Sequence, residues 1–144
     1  MNNDDTDRTR SQQFDIAIVG GGPAGLSAAI WSARYLHSVV VIDSGDPRNW
    51  ETHGINGYLG LEGIRPPDLR STGRDTCRAL GVELIDAVVL RVDKREDARF
   101  SICLSGGGMV TARLLLLAIG VRDVWPEIPG LDHAYGANAH VCPD

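Results

Sequence analysis

Residues 14–30 read FDIAIVGGGPAGLSAAI, and the character of this stretch changes twice. Residues 14–19 are mostly apolar and rich in β-branched side chains, which is typical of a buried strand. A glycine-rich run follows at residues 20–25, and the segment after it, LSAAIWSARYL, is composed of good helix formers. The stretch therefore predicts a strand, a tight turn and a helix in that order.

The next segments continue an alternation of strands and helices. Residues 39–43 (VVVID) form a nearly continuous apolar run, which is typical of a parallel strand covered on both faces. Residues 44–65 are rich in glycine and lack periodicity, so we expect a long loop that embraces a ligand. Pro66 then begins a predicted helix that runs towards Leu80 and is closed by Gly81.

The second half of the chain predicts three strands, over residues 82–93, 99–104 and 109–119. A charged stretch and the turn at residues 105–108 separate them. We expect an antiparallel meander whose last strand returns to the main sheet. The predicted fold class is therefore α/β, with a mainly parallel sheet and an inserted antiparallel β-meander.

The spacing of Gly20, Gly22 and Gly25 indicates a dinucleotide site, because the three glycines follow a strand and open a helix. Asp43 ends the next strand, twenty-three residues beyond Gly20. Gly20 allows the turn, Gly22 lets the backbone approach a pyrophosphate, and Gly25 lets the helix pack close to the strand. Asp43 would accept hydrogen bonds from ribose hydroxyls and disfavour a 2′-phosphate, so a Rossmann-like domain that binds FAD or NAD is predicted. The alternative is a flavodoxin-like turn with a solvated Asp43.

Composition excludes several classes of function. Fourteen Lys and Arg against nineteen Asp and Glu give a net charge of −5, without the cationic surface that nucleic-acid binding requires. The longest apolar runs are too short for a membrane span, and no secretory leader is recognisable, so we expect a cytoplasmic protein with no membrane contact. Three widely spaced cysteines do not suggest a disulfide framework, and no metal site is expected from the spacing of the four histidines.

Five segments together resemble the thioredoxin reductase-like flavoproteins, which belong to the pyridine nucleotide-disulfide oxidoreductases: FDIAIVGGGPAGLSAAI, VIDSGDPRN, HGINGYLG, LLLLAIG and PEIPG. The resemblance runs from Phe14 to the last residue. It implies FAD in a Rossmann-type domain and NAD(P)H in an inserted second domain. It further implies that electrons pass from NAD(P)H through FAD to thioredoxin or to a small disulfide or dithiol substrate, and that the protein is a homodimer.

The resemblance also implies which residues contact the cofactor. The glycine turn and the end of the second strand contribute Gly20, Gly21, Gly22, Pro23, Ala24, Gly25, Asp43 and Ser44. Arg48 and Asn49 follow, although a solvated turn explains this pair equally well. Asn56 and Gly57 would lie beside the flavin ring, or form part of a glycine-rich surface loop, and Val89 would lie near adenine. Ala118, Ile119 and Gly120 stand where the family has Ala-Thr-Gly.

Cys142 is the candidate catalytic residue, because the family has a Cys-x-x-Cys pair at this place and the chain supplies its first cysteine. One cysteine cannot complete intramolecular disulfide exchange, so the alternative is an ordinary thiol on a tail. We expect Cys77 and Cys103 to be small core residues.

The expected domain organisation has three parts. Residues 1–13 form a disordered arm, residues 14–123 form the FAD-binding domain, and residues 124–144 form a linker and the start of an NAD(P)H-binding domain. Because the family's chains are longer, we expect the 144-residue chain alone to be inactive. The alternatives are an oxygen-dependent dithiol oxidase of the same fold and a non-catalytic flavin- or nucleotide-binding fragment.

Overall fold

The computed structural model describes residues 12–48, 52–124, 126–135 and 138–139, and within these residues it contains a six-stranded sheet. The strands are β1 (Gln12–Val19), β2 (Val39–Asp43), β3 (Glu83–Asp86), β4 (Val89–Lys94), β5 (Phe100–Leu104) and β6 (Met109–Leu117). Their order is β3-β2-β1-β6-β5-β4. β1 is parallel to β2 and β6, and β2 is parallel to β3, whereas β5 is antiparallel to β4 and β6. The predicted fold class is confirmed.

Among the residues that the structure describes, three α-helices accompany the sheet: α1 (Pro23–Arg34), α2 (Pro66–Ala79) and the short α3 (Leu131–Ala134). α1 begins inside the glycine turn, three residues before the predicted start at Leu26, because the fixed φ of Pro23 suits the first helical position. α1 and α2 lie close together. A Cβ at Gly73 of α2 would lie 2.9 Å from Leu26 Cδ1 of α1.

Side chains alternate between the two faces of the sheet and build two apolar clusters. On the helix-covered face, residues of β1 and β2 pack with α1 and α2, and the buried members are Ile18, Leu26, Ala29, Val39, Val41, Cys77 and Val82. On the other face, β1 and β2 share a cluster with β5 and β6, formed by Ala17, Val40, Ile42, Ile102, Leu104, Val110 and Ala112. β2 is thus buried on both faces, as its continuous apolar run predicts.

The prediction of one strand over residues 82–93 is wrong, because the structure divides this segment into β3 and β4 at opposite edges of the sheet. β3 pairs in parallel with β2, so the meander consists of β4, β5 and β6. The chain changes partners between them: Ala87 N donates to Asp43 O (3.0 Å), and Ser105 N donates to Val88 O (2.8 Å). Ala87 and Val88 are apolar, so hydrophobic periodicity does not mark the switch.

This two-residue connection requires the sheet to curl. Three Cα–Cα steps reach at most about 11 Å, so the end of β3 must lie close to the start of β4 although four strands separate them in the sheet. The apolar cluster that joins β2 to β5 fills the inside of the curl. Residues 87–89 are consequently placed beside the carboxyl end of β2, where they help to form the site described below.

β1 begins at Gln12, two residues before the boundary expected for the N-terminal arm. Gln12 and Gln13 are exposed and pair with Val110 and Thr111 of β6. Strand pairing here uses backbone groups and does not require apolar side chains. Residues 1–11 of the predicted arm lie outside the described residues. In the part of the chain that the structure describes, no helix has the length and apolar character needed to cross a membrane.

Candidate functional site

A cleft of about 490 Å³ opens at the carboxyl ends of β1, β2 and β6. β1 lies between β2 and β6, so the strand order reverses here, and open α/β sheets bind ligands at such a point. The cleft brings together most of the predicted cofactor contacts, namely Gly20, Gly21, Gly22, Pro23, Asp43, Ser44, Arg48, Val89, Ala118, Ile119 and Gly120.

The remaining predicted contacts lie elsewhere. Gly25 is buried behind the turn, and Ala24 is an exposed residue of α1 that does not line the cleft. Asn56 and Gly57 lie outside the lining as well, and Gly57 N donates to Glu62 Oε2 (2.8 Å), so this amide is already engaged within its own loop. Asn49 and Cys142 fall outside the residues that the structure describes.

The glycines of the turn serve different purposes. Gly20 has a φ of +110°, and a Cβ there would overlap the carbonyl oxygen of Ala118. A Cβ at Gly25 would overlap the carbonyl oxygen of Gly20, and one at Gly21 would lie 2.6 Å from Asp43 Oδ2. Gly22 differs from these three, because a Cβ there meets no atom within 4 Å and its φ is −79°. The backbone leaves no room for a Cβ at Gly20 and Gly25, and the Asp43 side chain leaves none at Gly21, whereas a Cβ at Gly22 would stand at the wall of the cleft.

Asp43 is held from several sides at the end of β2. Its side chain is 13% exposed and forms an ion pair with Arg70 of α2, while Arg74 Nη1 lies 3.8 Å from Asp43 Oδ2. Burial acts to raise the pKa of the Asp43 carboxyl, but the Arg70 guanidinium and backbone N–H groups of Gly21 and Gly45 outweigh it and lower the pKa below the ordinary value. Asp43 is therefore an ionised acceptor, and the alternative of a solvated acid does not hold.

We expect Asp43→Asn to lower the free energy of unfolding at pH 7 by about 2 kcal/mol, because Arg70 loses a charged, mostly buried partner. The folded-state pKa lies below the unfolded value, so this stabilisation is complete above about pH 4 and disappears as the pH falls through the folded-state pKa. Urea unfolding of both proteins from pH 7 to pH 2.5 measures the difference, which should shrink only at the acid end. Asp75→Asn, in an exposed pair with Arg78, is the control. A difference that does not change with pH would contradict the assignment.

Two ion pairs join the walls of the cleft. Arg48 Nε donates to Asp123 Oδ2 (2.6 Å), and Arg122 Nη2 lies 3.3 Å from Asp46 Oδ2. Each pair connects the loop after β2 with the segment after β6. Arg48, predicted as a cofactor contact, thus lines the cleft with its guanidinium engaged by Asp123.

Sequence reasoning missed Arg70, Asp46 and the apolar pair Ala87 and Val88, all of which line the cleft. Arg70 and Arg74 are one turn apart on α2, which indicates a cationic stripe on that helix. That spacing does not say which strand the stripe faces, so it could not have identified Asp43 as the partner.

Two cysteines of the described residues, Cys77 and Cys103, lie outside the cleft. Cys77 is fully buried between α1 and α2, where burial raises the pKa of its thiol, and its predicted core role is confirmed. Cys103 is half-buried in β5. Among the described residues, no group of three or more His, Cys, Asp or Glu side chains is placed to hold a metal ion.

Known proteins with this architecture include pyridine nucleotide-disulphide oxidoreductases and thioredoxin reductases. The family described as pyridine nucleotide-disulphide oxidoreductase matches residues 14–144. Thioredoxin reductase tcpT of Claviceps purpurea is 37% identical over 135 residues, which cover 92% of this chain and 42% of that protein. The crystal structure of HlmI has a TM-score of 0.87 at 36% identity and matches 91% of this chain and 42% of its own. Thioredoxin reductase from Streptococcus pyogenes has a TM-score of 0.82 at 25% identity, over 92% and 43%. The chain spans about two fifths of the length of these relatives.

Proposed function

The chain belongs to the pyridine nucleotide-disulphide oxidoreductase family, and from this premise we propose that its cleft holds FAD. The proposal extends to the whole protein as a thioredoxin reductase-like enzyme, which moves electrons from NAD(P)H to the disulfide of thioredoxin or of a small substrate. The observation that carries the FAD site concerns Gly22. The packing of the fold leaves room for a side chain at this position, whereas a ligand in the cleft requires that none be present.

The diphosphate end of the cleft supports this assignment. Gly22 is the N-cap of α1, and the first turn of that helix contains no acidic side chain. The positive end of the helix dipole and the free N–H groups of the first turn favour an anion at this position. Because no Cβ stands at Gly22, a diphosphate can approach the backbone directly.

The adenosine end supports it too. Ionised Asp43 accepts hydrogen bonds from ribose hydroxyls, and Val88 and Val89 offer an apolar wall for a purine ring. Ala118 and Gly120 also line the cleft, and their small side chains leave room for a long ligand. The cleft therefore offers an apolar wall for adenine, a polar acceptor for the ribose and an anion site for the diphosphate, the three features that an extended adenine dinucleotide requires.

FAD, when bound, would supply the hydride acceptor and the electron donor for the disulfide, since this chemistry belongs to the cofactor. The residues of this chain bind and orient it. Asp43 would hold the ribose and the turn at residues 20–22 would hold the diphosphate, while the pair Arg48–Asp123 connects the loop after β2 with the segment after β6.

The experiment that tests the site is the visible absorption spectrum of the purified chain after incubation with FAD and removal of free cofactor. We expect flavin bands at one FAD per chain. Circular dichroism shows whether the same sample is folded. A folded chain without flavin bands would overturn the proposal.

We expect Asp43→Ala to weaken FAD binding about tenfold, because a hydrogen bond to a charged group contributes about 1.5–3 kcal/mol. Titration of flavin fluorescence measures the dissociation constant. Asp75→Ala removes an exposed acid from α2 outside the cleft and should bind FAD as the unchanged chain does. Equal affinities for the two variants would remove Asp43 from the site.

A further inference from the structure

We propose that Arg70 is a positioning residue: it fixes the Asp43 carboxylate towards the ribose of the bound nucleotide and thereby makes the cleft prefer FAD to FMN. This inference rests on the proposed FAD site. It concerns a residue of α2, an element that contributes no part of the glycine motif.

The placement of Arg70 is the first argument. Arg70 Nη2 donates to Asp43 Oδ2, and both side chains are largely buried, at 21% and 13% exposure. Arg70 lines the main cleft, and it also lines two smaller cavities that lie between α1, α2 and the loop after β2. The guanidinium is therefore confined at the junction of these spaces, at the end of the cleft that holds Asp43.

The second argument concerns the rotation of the carboxylate. An aspartate side chain has a broad, roughly two-fold χ2 preference, so a strand-end carboxylate has no fixed direction of its own. Arg70 and Arg74 both act on Oδ2, and Arg74 is itself held by Asp86 at 2.8 and 3.1 Å. These contacts fix the carboxylate plane before a ligand arrives, which reduces the entropy that binding must remove.

The third argument concerns charge. Asp43 and Asp86 face Arg70 and Arg74, so the four side chains together are neutral. The preference for FAD over FMN therefore depends on the direction of the hydrogen bonds between the Asp43 carboxylate and the ribose hydroxyls. A carboxylate held in one orientation provides that direction.

The test compares FAD with FMN, which lacks the adenosine half, by fluorescence titration or by competition. We expect Arg70→Met to weaken FAD binding about tenfold and to leave FMN binding unchanged, whereas Arg70→Lys, which keeps the charge, recovers part of the loss. Arg78→Met on the same helix, where the arginine is exposed and paired with Asp75, is the control and should change neither affinity.

A double-variant cycle distinguishes positioning from direct contact. If Arg70 acts through Asp43, Arg70→Met in the Asp43→Ala background weakens FAD binding by less than about twofold. The pH profile gives an independent readout. Arg70 and Arg74 of α2 face Asp43, and Asp86 of β3 acts on it through Arg74. Loss of Arg70 should therefore raise the pH below which the affinity for FAD falls, and a merely structural role of Arg70 would not.

Three results would overturn the inference: equal losses of FAD and FMN affinity, an Arg70→Met variant that matches Arg78→Met, or a full tenfold loss in the Asp43→Ala background. If FMN binds too weakly to measure, the double-variant cycle decides whether Arg70 acts through Asp43. If the unchanged chain is folded and binds no FAD, the proposed function fails and the inference falls with it, which is a different result from FAD binding that ignores Arg70.

Discussion

Gly25→Ala is expected to destabilise the chain by at least about 3 kcal/mol, although alanine favours a helix over glycine by about 1 kcal/mol. Gly25 lies in α1 and is buried. An added Cβ would overlap the carbonyl oxygen of Gly20 and lie 3.4 Å from Ala118 Cβ. α1 would have to move away from β1, which would loosen the packing of Leu26 and Ala29 on the sheet. Since domains are stable by only about 5–15 kcal/mol, the loss is a large fraction of the total.

Urea unfolding followed by far-ultraviolet circular dichroism measures this effect. Gly22→Ala is the matched control, because it changes the same turn by the same methyl group where no atom lies within 4 Å. The control should lose no more than about 1 kcal/mol of stability, the cost of replacing glycine at the helix cap. If Gly25→Ala is as stable as this control, or more stable as helix propensity alone predicts, the close approach of α1 to the turn is not a constraint.

The parts of the fold that sequence predicts well are those whose cause is local. The glycine turn lies between a strand and a helix, so its glycines and Asp43 are recognisable from spacing alone. β2 is recognisable because burial on both faces leaves no polar position in residues 39–42. In each case the signal is a short run of residues or a fixed spacing along the chain.

The parts that sequence misses depend on contacts between distant segments. Ala87 and Val88 look like the middle of a strand, yet they hydrogen-bond to β2 on one side and to Ser105 on the other. Arg70 becomes part of the site only because α2 packs against α1 and turns one face towards the end of β2. The amide of Gly57 donates a hydrogen bond to Glu62, five residues later, in a loop whose sequence has no periodic pattern.

Gly22→Val is expected to weaken FAD binding about a hundredfold, the equivalent of about 2.7 kcal/mol, while the chain remains folded. Gly22 has a φ of −79°, which valine adopts without strain, and no atom lies within 4 Å of the position of its Cβ. The cost to stability should be limited to the helix cap, about 1 kcal/mol. The isopropyl group would instead occupy the cleft and hold a diphosphate away from the start of α1.

Fluorescence titration with FAD and urea unfolding, carried out on the same preparation, separate these two effects. Ser27→Val places the same side chain at an exposed position of α1 outside the main cleft and should leave FAD affinity unchanged. If Gly22→Val unfolds, the position is structural in the way that Gly25 is. If it folds and binds FAD normally, the diphosphate does not lie at the turn. Loss of FAD binding in a folded Gly22→Val variant, beside the loss of stability in Gly25→Ala, would separate the glycine that the ligand requires from one that the fold requires.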